Sequence, residues 1–167
     1  RWYVPNNVTL TIAGDFDTAQ TKEWIEKYFG EIPRGEDVED LPVRIPQLAE
    51  SKSLYYEDNF ARLPLLTMTW PAPPEYTKDS YALEVLADYL SNGKKAPLNK
   101  ILTDEMQLAN NPSLRYGGSE LAGEFTLSVR ANPGVDLDSV KAGVYKAFDD
   151  FENAGMSQDD LDRIKAK

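Results

Sequence analysis

The sequence predicts an α+β fold, in which a mainly antiparallel sheet has helices packed on one face. Apolar residues of the predicted strands alternate with polar ones, as in strands that have one buried and one wet face. Segments with helical periodicity separate these strands, so helices can cover the buried face. A doubly wound parallel sheet would need near-continuous apolar strands, which the sequence lacks.

The length of 167 residues favours one domain, and no apolar run approaches a membrane span. We therefore predict a single domain over residues 1–167. Residues 31–50 contain three prolines and six acidic residues, which predicts an internal extended connector. The chain begins with Arg rather than Met and stops within a helical pattern, so we expect a fragment of a larger protein.

The first predicted unit is a strand followed by a helix. Val8, Leu10 and Ile12 alternate with threonines, which indicates a half-buried strand. Asp17 is the predicted N-cap of the helix, and Gly30 is its predicted C′ residue. The helix carries one apolar stripe, formed by Trp24, Ile25, Tyr28 and Phe29.

The middle of the chain predicts a second strand and two helices. Leu66, Met68 and Trp70 alternate with Leu65, Thr67 and Thr69. This alternation predicts a strand that ends at Pro71. A helix is expected from about Lys78, and Pro97 suits the first turn of another.

Residues 110–118 read as irregular, because they begin with Asn-Asn-Pro and end with Gly-Gly. Residues 125–131 give the clearest alternation and hence the clearest strand. The segment with the strongest helical periodicity follows, and Gly155 lies just past its end. Ser157 is the predicted N-cap of a terminal helix. The apolar stripe of the first of these two helices consists of Leu137, Val140, Val144, Ala147, Phe148 and Phe151.

Composition excludes several kinds of chemistry. The net charge of −10 disfavours nucleic acid as a partner. The chain contains neither Cys nor His, so thiol nucleophiles, a Ser-His-Asp triad and the usual zinc ligands are all missing. We predict no catalytic residue and no metal ligand, and the residues that would bind substrate remain unknown.

Several local patterns have a functional and a structural interpretation, and the structural one is favoured each time. Asp15 and Asp17 are better explained by a turn and a helix cap than by a cation site. Two acidic runs, residues 36–40 and 159–162, fit solvated surface. Gly117-Gly118 fits a bulge or bend, and Lys94-Lys95 is too small a basic patch for a site.

Five aromatic residues lie near the second predicted strand. Core and rim packing is the favoured explanation, and a peptide-binding surface is the alternative. These residues are Tyr55, Tyr56, Phe60, Trp70 and Tyr76.

Six short segments, taken in their order along the chain, form a recognisable set: Tyr3-Val4-Pro5-Asn6-Asn7, Ala13-Gly14-Asp15-Phe16-Asp17, Lys27-Tyr28-Phe29-Gly30-Glu31-Ile32-Pro33-Arg34-Gly35, Met68-Thr69-Trp70-Pro71-Ala72-Pro73, Pro97-Leu98-Asn99-Lys100-Ile101-Leu102 and Ser157-Gln158-Asp159-Asp160-Leu161. In sequence and order they resemble the pitrilysin/insulinase metallopeptidases, which include the mitochondrial processing peptidase. Together they extend over nearly the whole chain.

The resemblance implies a non-catalytic, C-terminal-type domain. Active members bind zinc through His-x-x-Glu-His and a distant Glu upstream of this region, so zinc is expected only in the catalytic domain of the parent or a partner. The family's substrate-contacting Arg and Tyr, seven residues apart, align with Thr103 and Asn110. Both are replaced, which puts a substrate contact by that segment in doubt.

Two functions remain open. The first is completing the peptide-enclosing chamber of a zinc peptidase and supporting substrate binding, this fragment alone being inactive. Partners would then be a catalytic domain, in the same chain or another subunit, and a peptide. The alternative is a structural or assembly domain, as in core subunits of the respiratory complex that oxidises ubiquinol. The compartment is left open, although export, as in many bacterial relatives, is compatible with the absence of Cys.

A polar sheet face is also predicted, and it carries few charges. Such a face suits a chamber wall, but solvent-facing threonines, which are common in strands, are the favoured explanation. Its members are Thr9, Thr11, Thr67, Thr69, Thr126 and Ser128.

Overall fold

The computed structural model describes residues 2–166. The chain divides into two compact units, residues 1–41 and residues 42–167. No helix or strand lies between residues 33 and 64, a stretch that contains the boundary between the units. The single domain over residues 1–167 and the connector over residues 31–50 remain predictions.

The first unit contains a 3-10 turn, Pro5–Asn7, and one helix, α1, Thr18–Phe29. Asp17 caps α1 as predicted, because its Oδ1 accepts a hydrogen bond of 2.7 Å from the amide of Gln20. The side chain of Asn6 links the 3-10 turn to a later stretch by donating to the carbonyl of Glu36. Among residues 2–41, none is buried.

Two predictions for the first unit are wrong. Residues 8–12 form no strand, and Val8, Leu10 and Ile12 are 64%, 56% and 44% exposed. Alternation produces a strand only where a neighbour completes the hydrogen-bonded ladder, and no described residue pairs with this segment. Gly30 ends α1 in the right-handed conformation, with φ −64°, so it is the C-cap residue and not a left-handed C′ residue.

The second unit is built on an antiparallel sheet of three strands. The strands are β1, Leu65–Ala72, β2, Ala109–Gly118, and β3, Gly123–Ala131. Their order is β1-β3-β2, so β3 is central and pairs with both edge strands. β1 includes Pro71, whose missing N–H is tolerated on an edge strand.

β2 corrects the prediction that residues 110–118 are irregular. The strand pairs with β3 throughout, apart from a register shift between Asn110 and Ser113. This bulge accommodates Asn111, at φ 53°, and Pro112, which cannot donate to a ladder. The residues that suggested a break are therefore absorbed by a local irregularity in the strand.

The helices of the second unit begin near the positions that the sequence predicts. Thr77 and Ser80 form a reciprocal capping box at the start of α2, Lys78–Ser91. One α-helical turn, α3, Pro97–Asn99, continues as a π-helical segment, Lys100–Glu105. Then follow α4, Leu137–Ala154, closed by Gly155 at φ 69°, and α5, Gln158–Lys165, capped by Ser157.

The core lies between one face of the sheet and the helices α2, α3 and α4. Leu127 and Val129 of β3 have no exposed surface, and neither have Val140 and Val144 of α4. Trp70 packs between Phe125 and Phe148, with ring centroids 6.2 Å from each. The predicted α+β class, with an antiparallel sheet covered by helices on one face, is confirmed.

Candidate functional surface

The sheet has a core face and an opposite face, which we call the open face. Alternation along β3 directs Phe125 and Leu127 into the core, so the residues between them belong to the open face. The open face consists of Leu65, Thr67, Thr69, Pro71, Asn110, Ser113, Arg115, Gly117, Glu124, Thr126, Ser128 and Arg130. Most of these side chains are exposed to solvent.

Hydroxyl groups occupy the centre of the open face. Thr67, Ser128 and Ser113 lie side by side across the three strands. In the next row, Thr69 Oγ1 and Thr126 Oγ1 are 3.3 Å apart. Hydroxyls both donate and accept hydrogen bonds, so this surface can meet polar groups without favouring one sign of charge.

Charged residues of the open face flank these hydroxyls. Arg115 lies in the row of Thr126, and Arg130 lies in the row beyond Ser128. Glu124 is at the end of the face, next to Gly117 in the β2–β3 hairpin. All three charged side chains are exposed.

A groove of about 900 Å³ runs along the outer edge of β2. Residues of α2, α3, the π-helical segment and β2 line it, among them Asp88, Thr103 and Asn111. Some of its polar groups already form hydrogen bonds within the domain. Ser91 Oγ, for example, donates to the carbonyls of Ala87, at 3.0 Å, and Leu114, at 3.3 Å.

Thr103 and Asn110 are engaged in hydrogen bonds close to this groove. Thr103 Oγ1 donates to the carbonyl of Ala109 at 2.9 Å, and Asn110 Nδ2 donates to Asn132 Oδ1 at 2.7 Å. These bonds tie the π-helical segment and the β3–α4 turn to β2. Each of the two residues therefore has a structural role within the domain.

Two of the acidic candidates lie at the starts of helices. Asp17 caps α1, whereas Asp160 lies in the first turn of α5, where Ser157 Oγ donates to its Oδ2 at 2.6 Å. Hydrogen bonds from Ser157 and then Arg163 lower the pKa of Asp160. Within residues 2–166, no group of three or more Asp, Glu, His or Cys side chains is arranged to hold a metal ion. The residues present therefore do not fit the zinc of the resembling family.

The glycine pair lies in regular strand pairing, opposite Glu124 and Gly123, while the bulge of β2 is elsewhere. A Cβ on Gly118 would collide with Glu75 and with the Tyr116 hydroxyl, so close packing explains this glycine. Burial first, and then the charge of Glu75, raises the pKa of Tyr116, whose hydroxyl donates to the carbonyl of Pro73 at 2.8 Å.

The aromatic residues near β1 do not form one cluster. Only Trp70 follows the favoured interpretation and packs in the core. The other four are more than four-fifths exposed: Tyr55, Tyr56, Phe60 and Tyr76. Lys94-Lys95 lies in the turn after α2, and Lys94 is at the rim of the groove.

Sequence reasoning missed the contribution of β2 to the open face. Ser113 and Arg115 were not candidates, because residues 110–118 were predicted to be irregular. The available signal was the alternation of Leu114 and Tyr116, which are on the core side, with Ser113, Arg115 and Gly117. Arg130 occupies one of the polar positions in the alternation of residues 125–131.

Comparison with known proteins gives the family. The Peptidase M16 inactive domain matches residues 1–167. The chain is similar to the zinc protease PqqE of Helicobacter pylori, with 21% identity over 98% of this chain and 37% of that protein. It is also 31% identical to the protein YhjJ of Salmonella typhimurium, over 50% of this chain and 17% of that protein.

Solved structures share the fold. A protease from Helicobacter pylori matches with a TM-score of 0.69 and 21% identity, over 92% of this chain and 38% of that chain. A predicted insulinase family protease from Yersinia pestis matches with a TM-score of 0.58 and 16% identity, over 89% and 32%. A peptidase M16 inactive domain from Pseudomonas fluorescens matches with a TM-score of 0.54 and 16% identity, over 61% and 25%.

The chain spans less than two fifths of the length of the relatives named here. None of the helices in residues 2–166 combines the length and apolar character that a membrane crossing requires. The family match covers the whole chain, and the resemblance found in the sequence is confirmed. This chain belongs to the peptidase M16 family, as an inactive domain of the kind found in zinc protease-like and insulinase-family proteins.

Proposed function

We propose that this domain completes the peptide-enclosing chamber of a zinc-dependent peptidase and supports substrate binding through the open face of its sheet. The domain itself performs no chemistry. A catalytic domain, in the same polypeptide or in a partner subunit, would hold the zinc. The similarity to a zinc protease of Helicobacter pylori supports this assignment, as does the family match.

The open face is the observation that carries the proposal. Helices cover the core face, whereas Thr67, Thr69 and Ser113 of the open face are exposed. A chamber wall must tolerate many peptide sequences, and uncharged hydroxyls pair with donors and acceptors alike. The described residues offer no metal ligand set, so a wall is a better fit than a reaction centre.

The test uses photo-crosslinking in the complete protein that carries this domain. The photoreactive amino acid p-benzoylphenylalanine replaces Thr67 in one variant and Lys141, an exposed residue of α4, in the control. Each variant is irradiated with a biotinylated, extended, uncharged peptide. We expect capture of the peptide at position 67 and background capture at position 141.

Absence of capture at position 67, or equal capture at both positions, would contradict the proposal. The readout does not depend on catalysis, so it applies to an active peptidase and to an inactive relative alike. A scaffold whose open face is covered by another subunit would give crosslinks to that subunit instead of to the peptide.

A further inference from the structure

The open face carries cations although the protein is acidic. Its charged members are Arg115, Arg130 and Glu124, whereas the whole chain has a net charge of −10. The local charge therefore has the opposite sign to the charge of the molecule. A local excess of positive charge attracts anions that reach this surface.

The two arginines of the open face have no acidic partner among residues 2–166. None of the ion pairs formed among these residues includes either arginine. No carboxylate oxygen of residues 2–166 comes within 4.0 Å of the guanidinium of Arg115 or Arg130. Both side chains are exposed. An unpaired guanidinium can donate two parallel hydrogen bonds to a carboxylate, which makes carboxylate the matching ligand.

The register of the sheet fixes the distance between these arginines. Arg115 lies opposite Thr126, and Arg130 is four residues further along β3. At about 3.3 Å per residue, the two rows are about 13 Å apart along the strands. In an extended peptide, side chains four residues apart point to the same side and have the same spacing. Between the rows lie Ser113 and Ser128, which can meet uncharged peptide groups.

We propose that the open face selects extended peptides that carry two acidic side chains four residues apart, with Arg115 and Arg130 each binding one carboxylate. The inference rests on the proposed function, because it requires that peptides reach this face. Long polyanions such as nucleic acids are a poorer match, since the rest of the molecule repels them.

The experiment measures peptide binding by fluorescence anisotropy in the complete protein. The acidic probe is a fluorescein-labelled Gly-Glu-Val-Ser-Val-Glu-Gly amide, and the neutral probe has Gln in place of both Glu residues. We expect the acidic probe to bind about five- to tenfold more tightly, which lies within the range expected for two exposed ion pairs. The preference should shrink in high salt, because exposed charges are screened.

The double variant R115Q/R130Q should bind the two probes with equal affinity, to within about twofold. A matched control, K78Q/K141Q, removes the same charge from exposed positions on α2 and α4, on the other side of the sheet. It should keep the preference of the wild-type protein. Unchanged affinity of R115Q/R130Q for the neutral probe would show that the face is intact.

The outcomes separate the two proposals. If the neutral peptide is captured at position 67 but R115Q/R130Q keeps the acidic preference, the charge selection is wrong and the chamber role stands. A preference lost equally in K78Q/K141Q would mean that overall charge is responsible, and would overturn the inference as well. If the neutral peptide is not captured at position 67, the proposed function fails, and the inference fails with it.

Discussion

Residues 2–41 and residues 42–166 differ in how far they bury their apolar side chains. All the buried hydrophobic residues of the described chain lie in the second region, and all but Ala96 belong to one core between the sheet and its helices. In the first region, three of the four residues of the predicted stripe of α1, Trp24, Tyr28 and Phe29, are each more than half exposed. A helix can therefore form through interactions between residues close in the chain, whereas burial of its apolar stripe requires a second surface to pack against.

The same contrast separates two segments with alternating sequences. Residues 8–12 alternate as regularly as residues 125–131, but only the second segment is a strand. β3 has a neighbour on each side, which satisfies its backbone groups, whereas residues 8–12 have none among the described residues. Long-range packing in the core and local interactions at helix ends can be tested separately.

The largest expected effect is the loss of a core side chain. Leu127→Ala removes a fully buried side chain from the central strand and should lower the free energy of unfolding by about 2–5 kcal/mol. Leu10→Ala is the matched change at an alternating but 56% exposed position, and should cost no more than about 0.5 kcal/mol. Urea unfolding followed by circular dichroism measures both. Equal losses would mean that residues 8–12 are packed as tightly as β3.

A smaller effect is expected at a helix end that requires glycine. Gly155 has φ 69° and ψ −169°, a conformation that is essentially restricted to glycine, so Gly155→Ala should cost about 1–3 kcal/mol. The control is Asn153→Ala, an exposed change in the last turn of the same helix, with an expected effect within about 0.5 kcal/mol. Thermal unfolding of both variants gives the difference. An unstrained alanine at position 155 would leave the two variants equally stable.

The smallest effect concerns the cap of α4 and its pH dependence. Asp136 accepts hydrogen bonds of 2.7 Å from the amide and the hydroxyl of Ser139, which lower the pKa of its carboxyl. Its stabilisation is therefore complete above the unfolded-state pKa of about 3.9, and is lost as the pH falls through the lower folded-state pKa. Asp136→Ala should lower the Tm by about 2–4 °C at neutral pH.

The variant Asp136→Asn distinguishes the hydrogen bond of the N-cap from the titration of the carboxyl group. Asparagine still accepts a hydrogen bond at the N-cap, so the Tm at pH 7 should change less than in the alanine variant. The decrease in Tm on acidification below about pH 4 should become shallower, because one titrating carboxyl is missing. A wild-type slope in Asp136→Asn would show that other groups account for the acid sensitivity. Calorimetric scans between pH 2.5 and 7 provide the comparison.

Much of the fold could be predicted because helix boundaries are encoded locally. Asp17 and Ser157 cap the first turns of their helices, and Gly155 ends α4, so each acts within a few residues of its own position. Edge strands were less predictable. β2 contains Asn-Asn-Pro and is a strand because β3 pairs with it, a condition that lies outside its own sequence.

The candidate surface was half predictable for the same reason. Thr67, Thr69, Thr126 and Ser128 follow from alternation in β1 and β3, and the structure places all four on the open face. Arg115 could join them only after β2 was recognised and its register was known. Whether Arg115 contributes its positive charge to the open face therefore depends on the register between β2 and β3.

By itself, the sequence determined the α+β class, most helix boundaries and the lack of His and Cys. These properties depend on composition or on contacts between residues close in the chain. Only the tertiary structure decided that residues 8–12 are not a strand, that residues 109–118 are one, and that Trp70 is in the core while Tyr55 is exposed. Each of these outcomes depends on a partner distant in sequence, because ladders and packed surfaces form only when two segments meet.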